Sequence, residues 1–258
     1  QLQLLIKSSE LINKIADLKK FISLKSRPLS SEEIETLIKN GNFSDNWENV
    51  TVVGELNPQF IRDSYFFGNV VLHGFSGEKV KIKEAPFSFT GIYRSTICDC
   101  IIGRDCLIYE CKLLSNYVVT DEAVVFNTGT IAFQAGCSFG NGMVIPIGPE
   151  TGELPFPIFA EMDLEIAKMI LEHSHRPETF SDYIGLYRNL VTMDKGVIGQ
   201  KATILNCPAI ENSFIGDYAI VDGAIKISNS TIMSSKEEPS EVKDGSMLEG
   251  ALIQNGCL

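Results

Sequence analysis

Basic residues are scarce in this chain. Its 258 residues include 22 Lys and Arg against 33 Asp and Glu, for a formal net charge of -11. A nucleic-acid binder needs clustered Lys and Arg to neutralise phosphate; no such cluster occurs, so nucleic acid is not an expected partner. An anionic membrane surface is disfavoured on the same ground. Long apolar runs are missing as well, with nothing near the length that spans a bilayer, and no N-terminal segment has the layout of a signal peptide. Walker-type and dinucleotide glycine motifs are absent, as is a serine nucleophile elbow. Histidine is limited to His73, His173 and His175. The 7 cysteines are an odd number scattered along a chain long enough for a proper core, which suits reduced thiols and a cytoplasmic location better than a disulfide framework. The start at Gln1 and the strand-like ending "ALIQNGCL" lead us to expect a piece of a longer protein.

What is present falls into segments. Leu4, Leu11, Ile15, Leu18 and Ile22 form a stripe at helical spacing. It reads as a helix on its own domain, or as a short coiled-coil contact between subunits. In "SSEEIETLIKNG", Ser30 and Glu33 make a capping box and Asn40-Gly41 a stop, so a second helix is expected. From Trp47 the pattern turns to alternation of apolar and polar residues ("NVTVVGEL", "NVVLHGF", "KVKIKEAPFSF"), the period of half-buried strands.

Two distant stretches repeat one phrase: "CIIGRDCLIYECK" at 100–112 and "SFIGDYAIVDGAI" at 213–225. Ile198, Ile204 and Ile210 recur every six residues, and Ile215 and Val221 continue after a five-residue step. That period fits neither a helix nor a hairpin meander. It predicts a parallel β-helix that turns a corner about every six residues. The residues two before each aliphatic one are small: Ser95, Cys100 and Cys106 in one copy; Gly196, Ala202, Pro208, Ser213 and Ala219 in the other. A narrow coil requires this, because side chains two apart point to the same side. The phase slips at Lys112. Two helices are expected between the copies, at about 159–174 (Phe159, Met162, Ile166, Met169, Ile170) and 178–192 (Phe180, Ile184, Tyr187, Leu190), the second opened by Pro177. The expected organisation is a helical segment over 1–46, β-helix over 47–158, the inserted helical pair over 159–192, and β-helix again over 193–258.

These residues resemble the left-handed parallel β-helix (hexapeptide-repeat) superfamily, whose members are often trimeric acyltransferases or nucleotide-sugar enzymes. More narrowly, the order of "FFGNVVLHGF", "CIIGRDCLI", "FGNGMVIPIGPETGE" and "GVIGQKATILNCPAIENSFIGDYAIVDGA" resembles a bacterial family of unknown function within it. Members of that family are longer than this chain. Where their pattern tends to read Glu-x-Gly-Gly-Arg, this chain has Glu150-Thr151-Gly152-Glu153-Leu154 and lacks the basic residue. The resemblance implies a transferase-like protein with a nucleotide-sugar or acyl-carrier ligand; the alternative is a non-catalytic trimeric scaffold.

Hexapeptide acyltransferases use a histidine as general base, and His73, the one histidine on the coil, is the catalytic candidate. His173 and His175 sit where a helix C-terminus suits a cation. Asn141 in the "FGNG" turn, with Glu150 and Glu153 in "PETGE", forms the candidate ligand loop, unless the segment is simply a turn leaving the coil. Cys98, Cys100, Cys106 and Cys111 lack the paired spacing of a zinc site and fall in small inward slots, so they read as packing, and no metal or cofactor is expected. Homotrimers are expected because a short coil leaves flat faces and open ends exposed.

Overall fold

A computed structural model describes residues 9–82, 88–147, 154–164, 166, 168 and 177–258. Beyond Phe43 the chain winds as a parallel β-solenoid with three faces. Each face is a ladder of short parallel strands, and its inward side chains stack rung on rung. On face A the stack runs through Leu72, Ile102, Val119, Ile198, Ile215 and Ile232. On face B it runs through Ile92, Ile108, Val125, Ile204 and Val221. On face C it runs through Phe66, Ile97, Leu114, Ile131, Ile210 and Ile227. All are fully buried.

The register explains the hexads and their one short step. Ile97 pairs with Leu114, Ile102 with Val119 and Ile108 with Val125, so one coil is made of one five-residue and two six-residue sides. Most corners place one residue in the left-handed region, such as Asp99 (φ 51), Asp105 (φ 53), Asn116 (φ 57) or Asn206 (φ 55). Asn and Asp tolerate that region best after glycine.

From Glu110 onward the corners into face C differ from the other two, and here the sequence reading is corrected. Into faces A and B the small inward residue lies two before the aliphatic one (Cys100, Ser213; Cys106, Ala202, Ala219), all fully buried. Into face C the first two coils keep this spacing, with Asp63 and Ser64 before Phe66 and Arg94 and Ser95 before Ile97, but at Glu110 and Asn206 the left-handed residue comes one position earlier. The inward slot therefore moves to Cys111 and Cys207, while Lys112 and Pro208 are exposed. The slip at Lys112 is a corner of different shape, and Pro208 is not a core residue.

The Ile-Gly phrase marks a close approach of successive coils. A Cβ on Gly103 would lie 2.7 Å from the backbone nitrogen of Asp121, and one on Gly199 would lie 2.5 Å from that of Asp217. Backbone cannot withdraw without moving the rung, so Gly199→Ala is expected to destabilise the fold by about 1–3 kcal/mol, read as a lower urea midpoint with unchanged slope.

Across the interruption the rungs still meet in register, Val119 on Ile198 and Ile131 on Ile210. The regular coils on either side repeat at a sequence distance of 17, as from Cys100 to Tyr117 and from Ile198 to Ile215. Here the distance is 79, as from Asn127 to Asn206. The insertion that makes up the difference leaves and rejoins at a single C-to-A corner. It holds an antiparallel hairpin, Val144–Ile147 with Leu154–Pro157, and a helix, Pro177–Val191. Residues 164, 166 and 168 are also helical, whereas Phe159 and Met162 precede that helix; the rest of the first expected helix, with Met169, Ile170 and His173, lies outside the described residues, as does His175.

The N-terminal segment forms two helices where two were expected, α1 (Glu10–Ile22) and α2 (Ser31–Lys39), while Leu4 of the expected stripe lies outside the described residues. The capping box is present: Ser30 Oγ accepts from Glu33 N at 3.2 Å, and Glu33 Oε2 accepts from Ser30 N at 2.7 Å. α1 lies along its own solenoid, with Leu11, Ile15 and Leu18 buried. The helix is about 20 Å long; its Phe21 stacks on His73 and its Lys14 pairs with Asp217, side chains whose rungs are four steps apart. α1 and the insertion cover face A, where even the outward residues Val118, Val197 and Phe214 are buried. On face B the outward Leu107, Val124 and Leu205 cluster with Ile82, beside the short hairpin of Lys79–Val80 and Ser88–Phe89; residues 83–87 lie outside the described residues.

Candidate functional site

The "FGNG" turn lies where the insertion leaves the coil. Phe139 is buried with φ 55, and its ring packs between Phe133 and Phe214 at 5.3 and 5.7 Å. Gly140 has φ 84, and a Cβ there would meet Asn229 O at 2.4 Å, so both conformation and space demand glycine. Asn141 is only 2% exposed. Its Nδ2 donates to Ser138 O at 2.8 Å and to Thr231 Oγ1 at 3.0 Å, and its Oδ1 accepts from Ala160 N at 2.8 Å. Thr231 Oγ1 in turn donates to Phe139 O at 2.7 Å. The amide thus joins the turn, a face-A rung and the start of the segment leading to the helices. Glu150 and Glu153 lie outside the described residues.

His73 lies elsewhere. Its rung and that of Thr231 are five steps apart on face A, about 24 Å at about 4.8 Å per rung. The side chain is buried, its ring stacks on Phe21 of α1 with centroids 4.8 Å apart, and Nε2 has no hydrogen-bond partner. Burial holds the imidazole below its ordinary pKa; Asp121 opposes this and Arg104 reinforces it. His73 is therefore neutral in the fold. Above pH 6.5 it is neutral in the unfolded chain too; below that the unfolded chain takes the proton first, and stability falls until the lower folded pKa is passed. His73→Phe should flatten this part of the stability profile between pH 7 and 5, measured by urea denaturation. An unchanged slope would show that the histidine is not held neutral.

The thiols are equally enclosed. Burial raises Cys100 to about 12 and Cys111 and Cys207 to about 11, and raises Cys106 further. All are protonated at neutral pH, and the thiolate is the form that attacks or ligates.

A constellation with no sequence signal joins α1 to the insertion. Glu161 accepts from Ser9 Oγ at 2.5 Å, Glu10 N at 2.6 Å and Tyr187 OH at 2.7 Å. A carboxylate at a helix N-terminus satisfies free backbone N–H groups and the dipole together. Burial, and then the Glu161 charge, push the Tyr187 phenol up. Lys14 meets Asp217 at 2.5 Å farther along the helix. These partners are from 26 to 203 residues apart, which hides them from any reading of spacing. The cluster latches α1 down. A polar groove of about 560 Å³ runs along the B–C edge, lined by Arg94, Lys112, Asn127 and Asn206 among others. Its amides form a ladder, Asn127 Nδ2 donating to Asn206 Oδ1 at 2.8 Å.

Residues 26–258 match the family described as "Domain of unknown function (DUF4954)". The chain belongs to the DUF4954 family. The matched stretch begins after α1, so the solenoid, α2 and the insertion are the DUF4954 part and α1 lies ahead of it. An "Uncharacterized protein" of Treponema pallidum (strain Nichols) is 29% identical over 252 residues, covering 90% of this chain and 34% of that protein. The chain thus spans about a third of the length of that relative. No solved structure matches.

Proposed function

We propose that this DUF4954 chain is a non-catalytic scaffold, a rigid solenoid module that associates with copies of itself. The observation that carries this reading is the use of Asn141, the one described member of the candidate ligand loop: its carbonyl and both amide hydrogens hold the insertion to the coil. His73, the candidate base, lies about five rungs away under Phe21, so proton transfer to a ligand at the turn has no geometric support. The rival reading, nucleotide-sugar or acyl transfer, draws on the superfamily resemblance and on Glu150 and Glu153.

Thermal unfolding with nucleotide sugars and with acyl-coenzyme A separates the two. A ligand at 100 times its Kd stabilises by about 2.7 kcal/mol, a shift of several degrees. The scaffold reading expects no saturable shift with either class. A saturable upward shift would overturn it in favour of the transferase.

A further inference from the structure

We propose that face C is the contact surface between two copies of this chain, packed face to face with their coils running in opposite directions. This rests on the self-association reading above. Face A lies under α1 and the insertion, and much of face B's outward apolar surface is enclosed. Face C is bare. Phe43 and Tyr65 are 51% and 50% exposed at one end and Met247 is 69% exposed at the other.

The outward side chains of its middle rungs are uncharged: Thr96 and Cys98, Leu113 and Ser115, Thr130 and Ala132. In a chain where 21% of residues are charged, three successive open rungs without a charge have the composition of an interface core. Most charges gather at the far end, where Lys226 lies 3.5 Å from Glu211 and Glu249 follows, while Asp45 stands exposed at the near end. The near end carries an aromatic group, the Phe43 ring being 6.2 Å from both Tyr65 and Phe67.

The two ends select the occupant. Eight rungs, from Ser44 to Leu248, make up the face. A two-fold axis between the Leu114 and Ile131 rungs pairs first with last and second with seventh, as an isologous contact must. Phe43 then meets Met247 of the second copy and Tyr65 meets its Lys226, with Asp45 and Glu249 meeting at the edge. Thioether and ammonium are both favourable against aromatic rings. Parallel packing, whose two-fold axis reverses the strands, would instead set Phe43 on Asp45 and Met247 on Glu249. The face measures about 34 by 17 Å from rung spacing and strand rise. That is roughly 600 Å² a side, or about 1,200 Å² in all, the lower end of stable specific interfaces.

Sedimentation equilibrium at micromolar concentration tests this. The expected mass is twice the 28.4 kDa of one chain. Leu113→Lys brings two like charges together beside the axis and should give a monomer with an unchanged circular dichroism spectrum. Should that variant lose its fold, the exposed pair Phe43→Ser and Tyr65→Ser provides the same reading, and Lys226→Glu should weaken dimerisation at least tenfold. A wild-type monomer or trimer, or a dimer indifferent to the face-C substitutions, overturns the proposal. Such a failure is separable from failure of the scaffold reading, which the ligand-dependent melting experiment reports.

Discussion

Gly196→Ala should destabilise the protein by about 3 kcal/mol, the upper part of the range for overpacking a tight core, and the cost should nearly vanish when Tyr117 is replaced by alanine. Tyr117 is the large exception among the inward slots. Its ring reaches from its own coil past the next, and its hydroxyl donates to Ser213 O and accepts from Ser213 N, both at 3.2 Å. Gly196 is the rung it passes, where a Cβ would lie 2.3 Å from the Tyr117 ring. Glycine at 196 is therefore the complement of tyrosine at 117. Tyr117→Ala alone should cost about 3–5 kcal/mol, as for other large aromatic truncations. A double-mutant cycle by urea denaturation should give a coupling of about 2–3 kcal/mol, since the sites share one space. Additive costs would mean the backbone at 196 relaxes without help from the ring.

Asn141→Ala is expected to cost about 3 kcal/mol. Alanine leaves the buried Ala160 N–H without its acceptor, and a buried donor stripped of its partner costs about 1–3 kcal/mol. The bonds to Ser138 O and Thr231 Oγ1 go as well. Thr231 keeps its own bond to Phe139 O, which limits the loss on that side. Asn141→Asp should also be poor, because the carboxylate accepts from Ala160 but cannot donate to Ser138. The readout is the melting temperature of each variant. A stability within about 0.5 kcal/mol of the parent, typical of surface positions, would show that the turn is not held through this side chain.

The coil was legible in the chain because its physics repeats. Once in every coil an aliphatic side chain must return to the same stack, and small or Asx residues must return to the same corner, so a few positions suffice to reveal the rule. The B-to-C corner escaped because its small residue shifts by a single position, from Pro208 to Cys207 and from Lys112 to Cys111, and a one-residue shift inside a six-residue period resembles noise. Capping of α2 was readable because Ser30 and Glu33 are three residues apart. The anchoring of α1 was not, since Ser9 and Glu161 meet only after the whole solenoid has formed. The candidate site divides the same way. Asn141 stood out as a polar residue in a glycine turn, but whether such an amide faces a ligand or the fold depends on Thr231 and Ala160, residues that sequence order keeps 90 and 19 positions away.

An engineered disulfide tests most directly whether the coil is interrupted and resumed in register. Cys98, Cys137 and Cys257 are the cysteines with solvent access; with these three changed to serine, the buried thiols are too protonated to interfere. Thr130 and Ala209 are Cα partners on neighbouring rungs across the insertion. At about 4.8 Å apart they fall within the disulfide range of about 4.4–6.8 Å. Thr130→Cys with Ala209→Cys should therefore oxidise to a single intramolecular bridge without loss of melting temperature. Lys226 is the next rung beyond Ala209, so Thr130→Cys with Lys226→Cys, about 9.6 Å apart, should not. Failure of the first pair to bridge, or equal bridging by the second, would contradict the continuous coil.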